Sequence, residues 1–245
     1  MSLKNDTPSV SVLAPQDAIA REHEMLEFVS SGEEQFMCTF WESSRCLVVP
    51  SSAARSANFE GACNYSAGAG WPVIVRATGG DVVPQGAGVL NVSIAFNPSC
   101  DARLRIGDVY CLLCEPIVAE LHAVGCDASI GGVDGSFCDG KYNVAVDGQK
   151  VAGTAQRWRA ISRNKDDLES FSVLAHAMLL VECDIASGVD AVNAFNQACG
   201  IEARVRAGAH ANIRDVAIRL NRGQETNAFV ARLRSRYERL FTALI

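Results

Sequence analysis

Asp147-Gly148, set between the runs "YNVAV" and "QKVAG", constrains the fold more than any other pair in the chain. An aspartate followed by glycine tolerates the positive φ angles of a type I′ turn, whose twist suits two antiparallel strands. The turn also sets a register in which Val146 faces Gln149 and Ala145 faces Lys150. Antiparallel pairing is thus written into the middle of the chain. "QFMCTFW", "CLVVP", "PVIVRAT" and "NVSIAFN" are rich in Val, Ile, Phe and Thr and are bounded by Gly, Pro, Ser and Asn, so they read as further strands. "FSVLAHAMLLVE" reads as another strand, with a helix as the alternative.

Helical spacing appears elsewhere. "DAIAREHEMLEFV" shows helical periodicity with Ala18, Ala20, Met25, Leu26 and Val29 and ends at Ser30, Ser31 and Gly32. A second helix begins near Asp108 and gives way to a loop, "SIGGVDGSFCDG". "GVDAVNAFNQAC" and "GQETNAFVARLRSRYERLFTAL" read as the last two. Strands and helices mix without regular alternation, which predicts an α+β fold with a mixed, mostly antiparallel sheet flanked by helices. Residues 1–245 read as a single domain. Those after about Ile201 read as a small C-terminal helical appendage with a weak boundary.

Composition narrows the function. At 245 residues and 49% hydrophobic the chain can bury a large core, and a net charge of −6 argues against wrapping nucleic acid or lying on an anionic membrane. The longest apolar runs, such as 173–181, are too short to span a bilayer and are broken by His176. The polar start, Met1 to Asn5, does not read as an export signal, so a cytoplasmic location is expected. Ten cysteines scattered through apolar stretches fit a reduced compartment. Cys111 and Cys114 form a CxxC, but they sit among helix-spaced Leu113, Ile117 and Leu121, and no second ligand pair follows. No metal site is expected.

Two stretches carry chemistry. "WPVIVRATGGDVVPQGAGVLNVSIAF" places Arg76 at a strand end, then Gly79, Gly80 and Gly88, then Asn91. Glycines let the backbone approach a ligand closely and expose N–H groups to a carbonyl, carboxylate or phosphate. In "GSFCDGKYNVAVDGQKVAGTAQRW", Cys138 lies in a polar, glycine-flanked loop twelve residues before Lys150. A nearby ammonium favours the thiolate, which is the nucleophilic form. The hairpin ladder alone keeps Cys138 and Lys150 apart. They meet only if the loop folds back over the sheet, and the four residues from Cys138 to Tyr142 reach at most about 14 Å.

These motifs resemble the lipoate/octanoate transfer superfamily, the biotin/lipoate protein ligase fold. "RATGGDVV" followed by "GVLNVSI" is similar to its glycine loop and Leu-Asn strand, and "GQKVAGTAQ" is similar to its lysine motif. The resemblance implies substrate-binding roles for Arg76, Gly79, Gly80, Gly88, Asn91 and Gly153. "GSFCDG" looks closest to the Gly-Ser-Tyr-Cys-Pro-Gly of the cysteine-dependent octanoyl/lipoyl amidotransferases, with Phe137 for Tyr and Asp139 for Pro. It implies that Cys138 and Lys150 are catalytic. Where family ligases carry His-Asp after the glycine loop, this chain has Gln85 and Gly86.

Further expectations follow from the resemblance. The acyl slot is walled by Val73 to Val75, Val82, Val83, Val89 and Leu90. His176, at the position of a strand histidine, reads as a satisfied core residue. The implied partners are lipoyl-domain proteins, namely the glycine-cleavage H protein and the acyltransferase subunits of 2-oxoacid dehydrogenases. "RWRAISRNK" (Arg157, Arg159, Arg163, Lys165) and "ARLRSRYER" (Arg232, Arg234, Arg236, Arg239) are candidate docking patches for these acidic proteins. Three functions stay open. One is an acyltransferase working through acyl-Cys138 with no cofactor beyond the octanoyl or lipoyl group. A second is a lipoate-protein ligase using ATP and Mg. The third is a binding module without turnover.

Overall fold

The computed structural model describes residues 10–98, 104–161, 170–202, 204–219 and 226–242. The first half runs β1 (Ser11–Leu13), α1 (Pro15–Ser31), β2 (Phe36–Ser43), β3 (Cys46–Pro50), α2 (Phe59–Gly68), β4 (Val73–Arg76), β5 (Val83–Gln85) and β6 (Val89–Phe96). It continues through α3 (Ile106–Ala123), β7 (Ala128–Gly131), β8 (Asn143–Val146), β9 (Gln149–Ile161) and β10 (Ser170–Leu180). The chain closes with α4 (Ile185–Cys199), α5 (Ile213–Arg219) and α6 (Thr226–Thr242). Seven strands form one sheet in the order β1-β2-β6-β10-β9-β8-β7, and β3 lies between β4 and β5 in a second, smaller sheet. Within the large sheet only β1 and β2 pair in parallel, so the fold is the α+β, mostly antiparallel one expected.

The sheet is covered on both faces, and the alternation of its central strands shows why. Leu90, Val92, Ile94 and Phe96 of β6 and Val173, Ala175, Ala177 and Leu179 of β10 share a core with Leu113, Ile117 and Leu121 of α3. Phe229, Leu233 and Tyr237 of α6 enter the same core, as do Ala211, Ile213 and Val216. Residues of opposite parity, Asn91, Ser93, His176 and Met178, face α1 and the small sheet. That second face holds the cavity. Further along it, Ala95 and Leu174 pack on Met25, Leu26 and Val29 of α1.

The Asp147-Gly148 turn has φ values of 51° and 74°, and the pairs Val146–Gln149 and Ala145–Lys150 form as the hairpin requires. The next pair is Val144–Ala152, which leaves Val151 as a bulge. In an unbroken strand Lys150 and Gly153 would point to opposite faces. The extra residue shifts the phase, so both line the cavity while Val151 and Ala152 enter the core.

Several elements differ from the sequence reading. Part of the expected loop "SIGGVDGSFCDG" is strand β7, paired with β8. The stretch forming α2 is glycine-containing and weakly patterned. It is nonetheless helical because Phe59, Ala62 and Cys63 pack into a second core with Phe195 of α4. Three of the four arginines of α6 expected to face a partner turn inward, and Arg239 stays exposed. Arg232 and Arg236 both bind the buried carboxylate of Glu120, and Arg234 lies 4.6 Å over the ring of Phe40. Arg159 pairs with Glu27 at 2.6 Å, and Arg163 and Lys165 lie outside the described residues. No helix among the described residues is long and apolar enough to cross a membrane.

Candidate active site

A cavity open to solvent lies between the large sheet, α1 and the small sheet. Cys138, Lys150, Arg76, Asn91 and Gly153 all line it. Its apolar walls are Ile19, Trp41, Val48, Val83, Ala155 and Met178. Of the wall residues expected from sequence, only Val83 is among them. Leu90 points into the opposite core, Val82 packs with the α2–α4 cluster, and Val89 lies against Leu180. Proximity in sequence to the glycines was a poor guide because alternate strand residues face opposite ways.

Arg76 is 4% exposed and organises the glycine loop around itself. Its Nε and Nη2 donate to the carbonyl of Gly79, Nη2 also to that of Asp81 at 2.8 Å, and Nη1 to that of Val48. Burial pushes its pKa down, with Cys138, Glu22 and Asp81 pulling it back. Most of its donors are therefore committed to holding the loop. Gly80 has φ of 103°, and a side chain there would place its first carbon 2.6 Å from Cys138 Sγ. Gly79 has open space at that position and serves through its carbonyl. Gly88 lies outside the cavity lining. With φ of 77° it brings β6 against the end of β10, where any Cβ would sit 2.2 Å from the carbonyl oxygen of Glu182. Asn91 and Gln85 exchange amide hydrogen bonds at 2.9 and 3.0 Å, so the glutamine found where family ligases carry histidine is satisfied within the chain.

The cysteine loop doubles back as its chemistry demands. Cys138 is partly exposed and adopts φ of 50°, a left-handed backbone that residues with a side chain disfavour. The backbone N–H of Asp81 donates to its Sγ at 3.2 Å. Lys150 is 1% exposed, and its Nζ donates to the carbonyls of Phe137 and Cys138, the latter at 3.2 Å. Burial drives the pKa of Lys150 down to about 8, against the opposing pull of Cys138, Asp139 and Asp81. Thiol and amine therefore share one pocket, with a backbone N–H aimed at the sulfur. Asp139 accepts from the N–H of Val133 at 2.9 Å, which ties the loop down on its far side.

Gly153 explains its own identity. An alanine there would set a methyl 2.7 Å from Lys150 Nζ and 2.8 Å from Cε. The flexible side chain yields first, so Gly153→Ala displaces the amine while the strand stays intact. We expect turnover to fall by about tenfold or more with thermal stability nearly unchanged, as steady-state kinetics and thermal unfolding will report.

Part of the cavity lining, Glu22 and His176, is polar, which sequence reasoning missed. Trp41 Nε1 donates to Ser93 Oγ at 2.9 Å, and Ser93 Oγ donates to buried Glu22 at 2.6 Å. Burial pushes the carboxyl of Glu22 up, but His176, Ser93 and Arg76 outweigh it, so its pKa ends below the ordinary value. His176 is no ordinary core residue. It lines the cavity with Nδ1 3.3 Å from Glu22 Oε1, not aligned for a hydrogen bond. His210, 72 residues beyond Cys138, accepts the N–H of Phe137 at Nε2 and was likewise invisible to local motifs. Among the described residues no cluster of three or more metal-ligating side chains occurs.

The chain is similar to known proteins both in sequence and in fold. A family model, the lipoyl protein ligase A/B catalytic domain, matches residues 14–236. An uncharacterized protein of Cupriavidus necator is 35% identical over 221 residues, covering 88% of this chain and 87% of its own. The octanoyl-[GcvH]:protein N-octanoyltransferase of Kyrpidia tusciae is 34% identical over 198 residues, covering 81% and 68%. A crystal structure of lipoate-protein ligase A bound with ATP superposes with a TM-score of 0.63 over 96% of this chain and 83% of its own. At 18% identity it speaks to the fold. By sequence and by fold, this chain belongs to the lipoyl protein ligase A/B catalytic domain family and is an octanoyl or lipoyl transferase or ligase.

Proposed function

We propose that the protein moves an octanoyl or lipoyl group onto a lysine of a lipoyl-domain protein through an acyl-Cys138 thioester, without ATP. The observation that carries this reading is the convergence of Cys138 Sγ, the Asp81 N–H and the Lys150 amine at an apolar cavity. Sγ gives its proton to Lys150 and attacks the carbonyl carbon of an acyl-lysine on the donor. The Asp81 N–H steadies negative charge on sulfur. As the C–N bond breaks, Lys150 returns the proton to the leaving amine, and the acyl group remains on sulfur. The acceptor lysine, as a free amine, attacks the thioester and passes a proton to Lys150, and the C–S bond breaks. Each buried methylene of the chain contributes roughly 0.8 kcal/mol before the costs of ordering it.

The name of the Kyrpidia relative suggests octanoylated H protein as donor, and the resemblance read in the sequence adds the acyltransferase subunits of 2-oxoacid dehydrogenases as acceptors. Incubation with octanoylated H protein and no nucleotide should give an octanoyl adduct in the intact mass, discharged by an unmodified lipoyl domain. Transfer that begins only when ATP, Mg and free lipoate or octanoate are added would instead make the enzyme a ligase.

A further inference from the structure

The segment from Val205 to Ala211 touches both arms of the proposed reacting pair. On the cysteine side, the N–H of Arg206 donates to Gly135 O at 2.8 Å, and its guanidinium binds the carbonyl and carboxylate of Asp134. The N–H of Phe137, the residue before the nucleophile, donates to His210 Nε2 at 2.8 Å, and the two rings lie 4.1 Å apart. On the lysine side, the N–H of Ala211 donates to Lys150 O at 3.0 Å, and Gln149 Nε2 donates to the carbonyls of Gly208 and His210. His210 bridges Lys150 in parallel register. One short stretch thus fastens the nucleophile's loop to the strand that carries the amine.

We propose that His210 is a positioning residue, holding the Phe137–Cys138 segment by the Phe137 N–H so that the carbonyls of both residues meet the Lys150 amine and Sγ meets the Asp81 N–H. This rests on the reading of Cys138 and Lys150 as the reacting pair. The anchor is needed because Cys138 sits in a left-handed backbone that relaxes when released. The tautomer is fixed on the other side of the ring, where Nδ1 lies 3.0 Å from the carbonyl of Arg206 and so carries the proton. Nε2 is then the acceptor that the Phe137 N–H requires. Burial, reinforced by the facing Lys150 ammonium, pushes the imidazole pKa down to about 4, while the Arg206 guanidinium is engaged with Asp134. The ring therefore remains neutral at working pH.

Full-length His210→Ala and His210→Gln test the assignment, the glutamine Oε1 standing near the place of Nε2. The probe is iodoacetamide, with alkylation at Cys138 quantified by peptide mass spectrometry across pH, alongside single-turnover acylation from octanoylated H protein. In His210→Ala the alkylation of Cys138 departs from wild type across that pH range, acylation slows on the order of 10²-fold, and the donor concentration giving half-maximal rate is unchanged. His210→Gln restores most of both. A wild-type profile and rate in His210→Ala overturns the proposal. So does an equal loss in both variants with the Cys138 profile unmoved, which makes His210 a structural residue only. Lys150→Met separates the two layers. If it leaves the wild-type profile untouched, the reacting-pair reading fails, and the His210 effect on the same profile still decides the anchor.

Discussion

Cys138→Ala abolishes the acyl adduct and lowers transfer on the order of 10⁴-fold or more, because among the described residues no second thiol lines the cavity to store the acyl group. The fold survives the change. Cys138 is partly exposed and its Sγ accepts one backbone N–H, so alanine removes a single sulfur from the cavity lining and not from a hydrophobic core. Thermal stability is expected to stay within about 0.5 kcal/mol of wild type. Cys138→Ser is the sharper variant, since it keeps the hydrogen bond and the backbone but replaces a polarisable thiolate with a hydroxyl that does not ionise at neutral pH. Both should leave the donor bound without turning it over. Retained transfer in either variant, measured by mass spectrometry of the acceptor domain, removes the covalent mechanism.

Lys150→Met has the second largest effect and the opposite signature in stability. Loss of the proton carrier lowers transfer by about 10²- to 10⁴-fold. The pH dependence changes as well. With a pKa near 8, the amine becomes a proton acceptor as pH rises through that value, so the wild-type rate of acylation from the donor climbs toward about pH 8 and levels off. That limb disappears in Lys150→Met. The stability argument runs from the same burial. Below about pH 8 the native state holds a buried ammonium, which is costly. Between about 8 and 10.5 the native lysine is neutral while the unfolded one still binds its proton, so stability rises with pH in that window. Methionine keeps the volume without the charge, so the variant unfolds at the same or a higher temperature than wild type at pH 7. A marked drop in its unfolding temperature would show that the amine's hydrogen bonds outweigh its desolvation.

Much of this was legible in the chain because it is local. Asp147-Gly148 dictated the hairpin and its first two pairs, and the Val- and Ile-rich runs became strands. The two motifs named Cys138, Lys150, Arg76 and Asn91, which the fold brings to one cavity. What the sequence hid depends on register and on distant packing. The bulge at Val151 leaves no trace in composition. The Trp41–Ser93–Glu22 chain joins three elements that alternate correctly only once the sheet is assembled. His210 touches the cysteine loop from far along the chain, beyond the reach of any spacing rule. Arg76, chosen for its charge, turns out to spend its donors on its own loop. Gly88, chosen as part of a glycine cluster, is required by the carbonyl of Glu182.

The unpaired residue between Lys150 and Ala152 makes the chemistry a matter of parity. One residue gained or lost between the turn and the cavity would exchange inside for outside along the rest of that strand, whereas a change of two would preserve every facing. Lineages that drift in length here should therefore do so in even steps, and odd steps should survive only where a second irregularity restores the count.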